Sequence, residues 1–553
     1  MIYDAFMFIR RISRKNGSLM VKIIENLRQG DQIVQKALCT VGVAKNRDEL
    51  ESLDKIAKLK MLDILNGRAP ALPGLESLVH GDANAEPILQ TDDIVSLSDI
   101  REEKRINVGM EDVFGAVYSQ MDFEDLIAGT RKDAEWNDIL KQVILARLFA
   151  PGSKRNASQE VLKDLNQEIP LEKIYRMMDR LVPLEEQIKK KIFQSSMSLL
   201  DYEVDVLFFD VTTLYFESFD PDELRAFGFS KDCKFKETQI VLALVTNNRG
   251  VPLTYEIFPG NQSEGKTLIT IVKKIKENYS VKNVVMVADR AMFSEENLSF
   301  LEAESIHYIV AAKLKTMKRS VQSEFLNEIE CPLNGWLKDI EVESRRIIVS
   351  YSTERAKKDY KQRMRLVERL MKKARDGKIP LKALINNNGT KKYIEVSGEK
   401  ASINEAKVIL DGQWDGIHGV ITNYAKDDKT PQEILERYKG LWKIEEVFRI
   451  NKNDLRMRPI YHWKPERIRA HILICFMAYV MLNTTKQILE KNSIDLSVVE
   501  LRREISKRQA SIIRDKRMQR RYFVPGNFSE IQKQIYSAFK IPIVEKAQPL
   551  FKQ

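Results

Sequence analysis

Three acidic side chains stand where their chemistry can be used. Asp210 closes the apolar run VDVLFFD, Asp289 closes VVMVAD, and Glu445 sits within YKGLWKIEEVFRINK. A near-continuous apolar run that turns polar is a common way for a buried strand to lift a carboxylate to the lip of a sheet. Carboxylates are the hard oxygen donors that Mg²⁺ prefers. Two such ions about 3.5 to 4 Å apart can activate an attacking oxygen, hold a phosphorus in line and stabilise the leaving oxygen. An acid after a strand often does no more than cap a loop, but here that explanation must be used twice and then stretched to cover Glu445.

The element that must present Glu445 reads as one helix from Pro431 to Trp463. Thr430 can cap it, Pro431 suits the first helical position, and Glu433 brings a carboxylate to the positive end. Tyr438, Glu445 and Lys452 recur at steps of seven, so they share a stripe that drifts only about 20° per step, with ends roughly 21 Å apart. Leu441, Ile444 and Phe448 form the neighbouring apolar stripe. The same register selects Glu445 over Glu446 as the functional acid and leaves Glu446 to pair with a nearby Lys or Arg. A solvated amphipathic face is the plainer alternative.

The strands that must carry the aspartates belong to an ordered series. After the run ending at Asp210, strand patterns cover Thr238 to Thr246 and Leu253 to Phe258, and a helix covers Lys266 to Asn278. The run ending at Asp289 follows, then a helix from Ser294 to Ala303 and a strand from His307 to Ala312. Strand, strand, strand, helix, strand, helix, strand is the order of a ribonuclease-H-like mixed sheet, which makes Asp210 and Asp289 neighbours in space. The fold class expected is therefore α/β, with that sheet as the catalytic core over residues 201–312 and 415–490. A basic helical piece, Thr353 to Lys378, and a β-like piece, Tyr393 to Val396, imply a domain inserted at 313–414.

Ahead of the core, residues 1–45 read as a small basic β module with turns at Asn16-Gly17 and Gly30-Asp31. Residues 46–108 read as a helix and a linker, and 109–200 as a helical DNA-binding or dimerisation domain. In that domain Trp136 to Phe149 is expected to be amphipathic, and Lys154, Arg155 and Lys189 to Lys191 are candidate phosphate contacts. Behind the core, Pro465 to Leu489 is expected as a buried helix and 491–553 as a basic region. Its stretch Arg502 to Arg521 holds nine basic and two acidic residues and reads as a DNA-facing helix or a disordered arm.

At 553 residues the chain can bury several cores. Lys plus Arg exceed Asp plus Glu by 90 − 79 = 11, a balance suited to a large polyanionic partner. Cys39, Cys233, Cys331 and Cys475 are isolated, and five histidines form no finger pattern, so a disulfide framework and a zinc finger are excluded and a reducing cytoplasm fits. The longest apolar run, His471 to Leu482, is too short for a bilayer, and no signal-peptide segment opens the chain.

One competing motif is complete. Gly260 to Thr267, GNQSEGKT, fits the phosphate-loop pattern between a strand and a helix. Against it, Glu264 would place a carboxylate in a loop that must cradle phosphates, and the preceding strand is interrupted by Pro252. A turn at Pro259-Gly260 and a cap at Ser263 account for the same residues.

Taken together, FFDVTTLYFES, VVMVADRAMFSEENL and YKGLWKIEEVFRINK resemble the three acidic motifs of bacterial insertion-sequence transposases of the DDE class, over about Val204 to Leu489. Within that class the resemblance is to the insertion-sequence-four type: its Tyr-x6-Glu-x6-Lys spacing is kept at Tyr438, Glu445 and Lys452. The Arg position of that signature holds Leu441, so either Lys439 or Lys443 supplies the charge from a neighbouring position or one phosphate contact is missing. The resemblance implies a transposase that binds terminal inverted repeats and performs metal-dependent cleavage and strand transfer. Asp210, Asp289 and Glu445 would be catalytic and hold two Mg²⁺ or Mn²⁺ ions. Tyr438, Arg449 and Lys452 would contact DNA, with Trp442 stacking on a displaced base. Double-stranded DNA is the implied partner and a homodimer on paired ends the implied assembly. A transposase-derived DNA-binding protein without catalysis is the alternative, and a P-loop NTPase using Gly260–Thr267 a more distant one.

Overall fold

The computed structural model describes residues 6–14, 18–29, 32–44, 49–50, 53–54, 56–58, 60–61, 99–128, 132–200, 205–217, 220–228, 236–279, 285–290, 294–328, 333–375, 392–397, 400–517 and 519–550. The chain divides into two units, Met1–Ile94 and Val95–Gln553. In the first, β1 (Phe6–Ser13), β2 (Leu19–Gln29) and β3 (Gln32–Ala44) form an antiparallel sheet in chain order. Val21, Ile23 and Ala57 are fully buried beneath it.

The second unit is mixed α/β and is built on one eight-stranded sheet. Its strands are β5 (Val206–Tyr215), β6 (Gln239–Asn247), β7 (Pro252–Pro259), β8 (Val285–Ala288), β9 (His307–Ala311), β10 (Leu337–Val342), β11 (Arg345–Tyr351) and β14 (Ile417–Thr422). They lie in the order β10-β11-β14-β9-β8-β5-β6-β7. β5, β8 and β9 run parallel, and the other neighbours are antiparallel. β10 and β11, from the segment between 313 and 414, thus extend the same sheet at its edge.

Alternation along the strands sorts side chains between two cores. On β5, Val206, Phe208 and Leu214 enter one hydrophobic cluster, and Leu207, Phe209 and Val211 enter another. On β8, Val285 and Val287 join the first cluster, and Met286 and Ala288 the second. Against the first face pack the helices of the amino-terminal half of this unit, α1 (Asp133–Phe149), α2 (Leu171–Leu181) and α3 (Glu185–Leu200). The second face is covered by α4 (Glu264–Tyr279) and α5 (Glu295–Ala303). A basic helix, α6 (Thr353–Arg375), follows β11.

Several expectations change. The stretch Pro431 to Trp463 is three pieces: α7 (Pro431–Lys439), α8 (Trp442–Arg449) and a wide turn, Ile450–Asp454, after which helix ends. The break lies at Gly440, where a Cβ would meet Phe208 Cζ at 2.5 Å. The helix presses on the sheet so closely there that it tightens into i→i+3 bonds: Leu441 N–H donates to Tyr438 O (3.0 Å) and Lys443 N–H to Gly440 O (3.1 Å). α1 is not amphipathic along its length: from Gln142 to Leu148 every residue is buried, because α2 flanks it on one side and α9 (Pro465–Lys491) on another. α9 is long and apolar enough to cross a membrane, contrary to the count from His471 to Leu482, but 83% of its apolar window is buried inside the protein, as in a core helix.

The basic stretch after Arg502 is helical only to Ser506, the end of α10 (Val498–Ser506). It then forms β15 (Gln509–Asp515) and enters β16 (Arg521–Pro525), in a sheet ordered β17-β16-β15-β4 with β17 (Gln548–Leu550) and β4 (Ile100–Asn107). Alternation explains the change: Ala510 and Ile512 face inward and pack with Ile106, a period-two signal that counting charges conceals.

Adding one methyl at Gly440 tests the close seating of helix on sheet. Gly440→Ala is expected to lose about 1–3 kcal/mol of stability in urea unfolding. Phe208→Leu, which shortens the opposing ring, should recover part of that loss in the double variant.

Candidate active site

Asp210 lies in the middle of β5 and not at its end, since pairing with β6 carries the strand on to Tyr215. What ends at Asp210 is the parallel partner: the last β5–β8 pair is Phe209 with Ala288, so Asp210 and Asp289 are the next residues on adjacent strands. Parallel neighbours run about 4.8 Å apart. By alternation both point to the first face of the sheet, the one on which α7 and α8 lie. Asp210 is half-buried and accepts the Val211 N–H (2.7 Å), whereas Asp289 is exposed.

Glu445 is exposed on α8, and Tyr438 ends α7 half-buried. The Tyr438 phenol is pushed well above its ordinary value by burial and then by the charges of Asp289 and Glu445, with Arg355 and Arg290 opposing. One phenol therefore senses both acids. Its ring lies 5.1 Å from that of His418, on β14. Burial and the Arg355 charge hold His418 down to about 4, against the pull of Asp289. A cleft of about 540 Å³ opens here, lined by Asp289, Arg290, Lys313, Arg355, His418 and Tyr438. His418, Arg290 and Arg355 were not singled out in the sequence. His418, the polar residue in DGIHGVITN, was the available signal.

Lys452 reaches the aspartates from the other side. Its ammonium donates to Thr212 Oγ1, two residues beyond Asp210 on the same face of β5. Leu441, at the Arg position of the signature, is buried, and Lys443 donates to Asn248 O, which leaves Lys439 as the exposed cation of the two. Trp442 (57% exposed) and Arg449 line a different cleft, of about 620 Å³, together with Arg249, Lys443 and Lys486. Arg449 is held by Glu446 (3.4 Å) and Asp454 (3.3 Å), so Glu446 has the pairing role expected of it.

The donors suit a hard divalent cation, with two carboxylates side by side and a third on the helix above. As they stand, no three His, Cys, Asp or Glu side chains draw together into a metal-binding group among the described residues. The three acids, expected to meet closely enough to hold two ions, do not draw together: Asp210 and Asp289 are adjacent, and Glu445 lies apart on α8.

Both ends of the α7–α8 unit are held by buried cations. Before it, Arg346 donates to Ala425 O (2.8 Å) and Lys429 O (2.9 Å) while paired to Asp339. Thr430 and Glu433 then form a capping box, which holds the Glu433 carboxyl down to about 2. After it, four successive carbonyls are taken. Arg502 donates to Asp454 O (2.9 Å), Arg147 to Leu455 O (3.2 Å) and Arg456 O (3.1 Å), and His471 Nε2 to Met457 O (2.9 Å). Arg147 lies in the stretch expected to be amphipathic, and its burial is set by these acceptors on a distant segment.

Of the other basic candidates, Lys154 and Lys189 are buried. Lys154 is buried without a hydrogen-bond partner, and burial with the Arg147 charge holds it down to about 7. Lys189 is buried among Glu185, Glu186 and Glu256. Lys191 pairs with Asp122, and Arg155 alone is exposed.

The phosphate-loop motif has no cradle. α4 begins at Glu264, so Gly265 and Lys266 are helical, and a Cβ on Gly260 would strike the carbonyls of Gln239 and Ala226. The amides a phosphate would need are committed: Gly260 N–H donates to Leu224 O (3.2 Å) and Gln262 N–H to Pro259 O (2.9 Å).

Residues 203–481 match the protein family described as the transposase DDE domain. No curated protein matches the chain. Among solved structures, it is similar to a piggyBac transposase synaptic complex with hairpin DNA (8% identity, 72% of this chain and 76% of that one, TM-score 0.38). It is also similar to the Mos1 transposase paired-end complex with the left transposon end (16% identity, 36% and 57%, TM-score 0.15). A third is the Argonaute of Marinitoga piezophila with 5′ OH guide RNA (11% identity, 79% and 68%, TM-score 0.19).

Two outcomes follow from the buried cations. Arg147→Met removes both bonds to the segment after α8 and is expected to cost about 3 kcal/mol in urea unfolding, with Arg147→Lys recovering part. Histidines 418 and 462 are held down to about 4 and about 3, the latter by burial and the Lys154 charge, and His471 lies well below its ordinary value. Free histidine titrates near 6.5, so between about pH 6.5 and 4 the unfolded chain takes up protons that the native one refuses, and stability falls with pH. Melting temperature should drop across that window, and His462→Gln should flatten the slope.

Proposed function

We propose that this chain, which belongs to the transposase DDE domain family, is a DNA transposase that binds the terminal inverted repeats of its own element, cleaves them and joins the 3′ ends to target DNA. One observation carries the reading: Asp210 and Asp289 stand next to each other on parallel strands, on the face crossed by the helix unit bearing Glu445 and Tyr438. The order β7-β6-β5-β8-β9, antiparallel through β5 and parallel after it, supports a ribonuclease-H-like core. The Tyr-x6-Glu-x6-Lys spacing supports the insertion-sequence-four type.

Asp210, Asp289 and Glu445 would hold Mg²⁺ or Mn²⁺, two ions in the full site, with Glu445 drawn down when DNA enters. Bound there, the ions would supply an activated oxygen nucleophile and a stabilised leaving oxygen. The chain's own groups do the rest. Arg290, Lys313 and Arg355 give the Asp289 cleft a cationic rim that draws in a phosphodiester. Tyr438, protonated at neutral pH, donates to a phosphate oxygen, and neutral His418 supports its ring without adding charge. Lys452, anchored at Thr212, neutralises phosphate beside Asp210. Trp442 and Arg449 receive DNA along the second cleft. A homodimer on paired ends completes the proposal. The alternative of a binding protein without catalysis is disfavoured because all three acids are retained.

Purified protein with element-end DNA and Mg²⁺ should nick it. Asp210→Ala should reduce nicking below detection while DNA affinity stays within about twofold. Equal cutting by the variant would overturn the assignment.

A further inference from the structure

Beyond α8 the chain leaves the acid face in a segment that neither the catalytic acids nor the phosphate contacts use. From Ile460 to Trp463 burial alternates: Ile460 in, Tyr461 out (59% exposed), His462 in, Trp463 out (63% exposed). That period is the period of extended backbone, which turns residues i and i+2 to one side about 6.6 Å apart. Bases stack at about 3.4 Å, so a backbone repeat of about 6.6 Å matches about two stacking steps.

The inward residues are firmly seated. Ile460 belongs to the main core, and His462 lies edge-on to Tyr175 (5.9 Å) and against His471 (5.3 Å). Two large aromatic rings are thus held in solvent by a buried footing. Exposed, well-anchored aromatics cost apolar hydration without contributing to the core.

Their surroundings indicate the occupant. Arg225, paired to Asp222, lies 5.6 Å from the Trp463 ring and 5.7 Å from Phe216, so a cation backs one face of the indole. Arg456 and Lys464, before and after the two rings in the chain, are exposed. A line of cation contacts follows β5 away from Asp210: Lys452 on Thr212, Arg458 5.4 Å from the Tyr215 ring, Arg225 on Phe216. Five residues of strand from Asp210 to Tyr215 span about 17 Å, or about five stacked nucleotides. Exposed Arg456 and Lys464 attract a polyanion's backbone to the segment that carries the rings, which leaves the aromatic faces to its bases.

We propose that Tyr461 and Trp463 form a stacking platform for an unpaired base, about five nucleotides or more along the DNA strand from the phosphate held at Asp210. This deepens the transposase reading and rests on it. Stacking on aromatic faces is tolerant of sequence, so the platform recognises that a base is unpaired and not which base it is. A protein partner, including a second copy of this chain, would instead favour a contiguous apolar patch, and here a cation backs the Trp463 ring and exposed Arg456 and Lys464 belong to the same segment.

The test uses the full chain, a short blunt duplex, and the same duplex carrying a single-stranded extension of about eight nucleotides that contains 2-aminopurine. Wild type should bind the extended duplex about tenfold more tightly, equivalent to about 1.4 kcal/mol, and quench the 2-aminopurine. The Tyr461→Ala/Trp463→Ala variant should lose both the preference and the quenching, with blunt-duplex affinity and melting temperature unchanged; Trp463→Phe should keep most of the preference. An unchanged preference in the double variant, an equal loss on both duplexes, or an altered oligomeric state in place of altered DNA binding would each overturn the platform. Failure of the transposase reading looks different: it is absence of Mg²⁺-dependent nicking by wild type, whatever the binding preference.

Discussion

The placement of one short helical unit governs everything else in this protein. α7 and α8 carry Tyr438 and Glu445 across the lip of the sheet, and nothing within nine- and eight-residue helices makes them rigid on their own. The structure fixes them from outside. Arg346 grips the loop in front, and Arg147, Arg502 and His471 take the four carbonyls behind. Gly440 lets the middle sit directly on Phe208. Charged donors buried against main-chain carbonyls are costly to desolvate, and they are retained where the alternative is an unsatisfied loop in the wrong place.

With the helix unit fixed, the rest of the site follows from the sheet. A parallel β5–β8 pair that stops at Phe209 and Ala288 puts two carboxylates at the same level and on the same face, where side-chain alternation and the split into two cores agree. The polar groups that converge there differ in kind. Tyr438 keeps its proton, His418 is kept neutral, and Arg290 and Arg355 line the rim. An adjacent acid pair set among cations is suited to a phosphodiester, whose negative charge the cations attract and whose reacting oxygens the acids can serve through bound cations.

Much of this was legible in the sequence because it depends on local patterns. The strand and helix series from β5 to β9, the capping box at Thr430, the buried helix at Pro465 and the linear order of the three acids all depend on periodicities of two and 3.6. What stayed hidden depends on contacts between distant segments. The helix break at Gly440 is dictated by Phe208, more than two hundred positions earlier, and the strand nature of Gln509–Asp515 by pairing with Ile100–Asn107. Lys154 and Lys189 read as surface charges because composition carries no burial information. Arg147 is a further case: it lies in a stretch expected to be amphipathic, and only its distant acceptors define its buried role.

Iron can stand in for magnesium at oxygen-donor sites and, with ascorbate and peroxide, cut the polypeptide wherever it is bound. Replacing Mg²⁺ by Fe²⁺ in the DNA-bound protein and mapping the fragments therefore reads directly which segments share the ion. The account predicts cuts clustered near residues 210, 289 and 445, suppressed together by excess Mg²⁺. Cleavage confined to other segments, or cuts near 210 and 289 with none near 445, would contradict it.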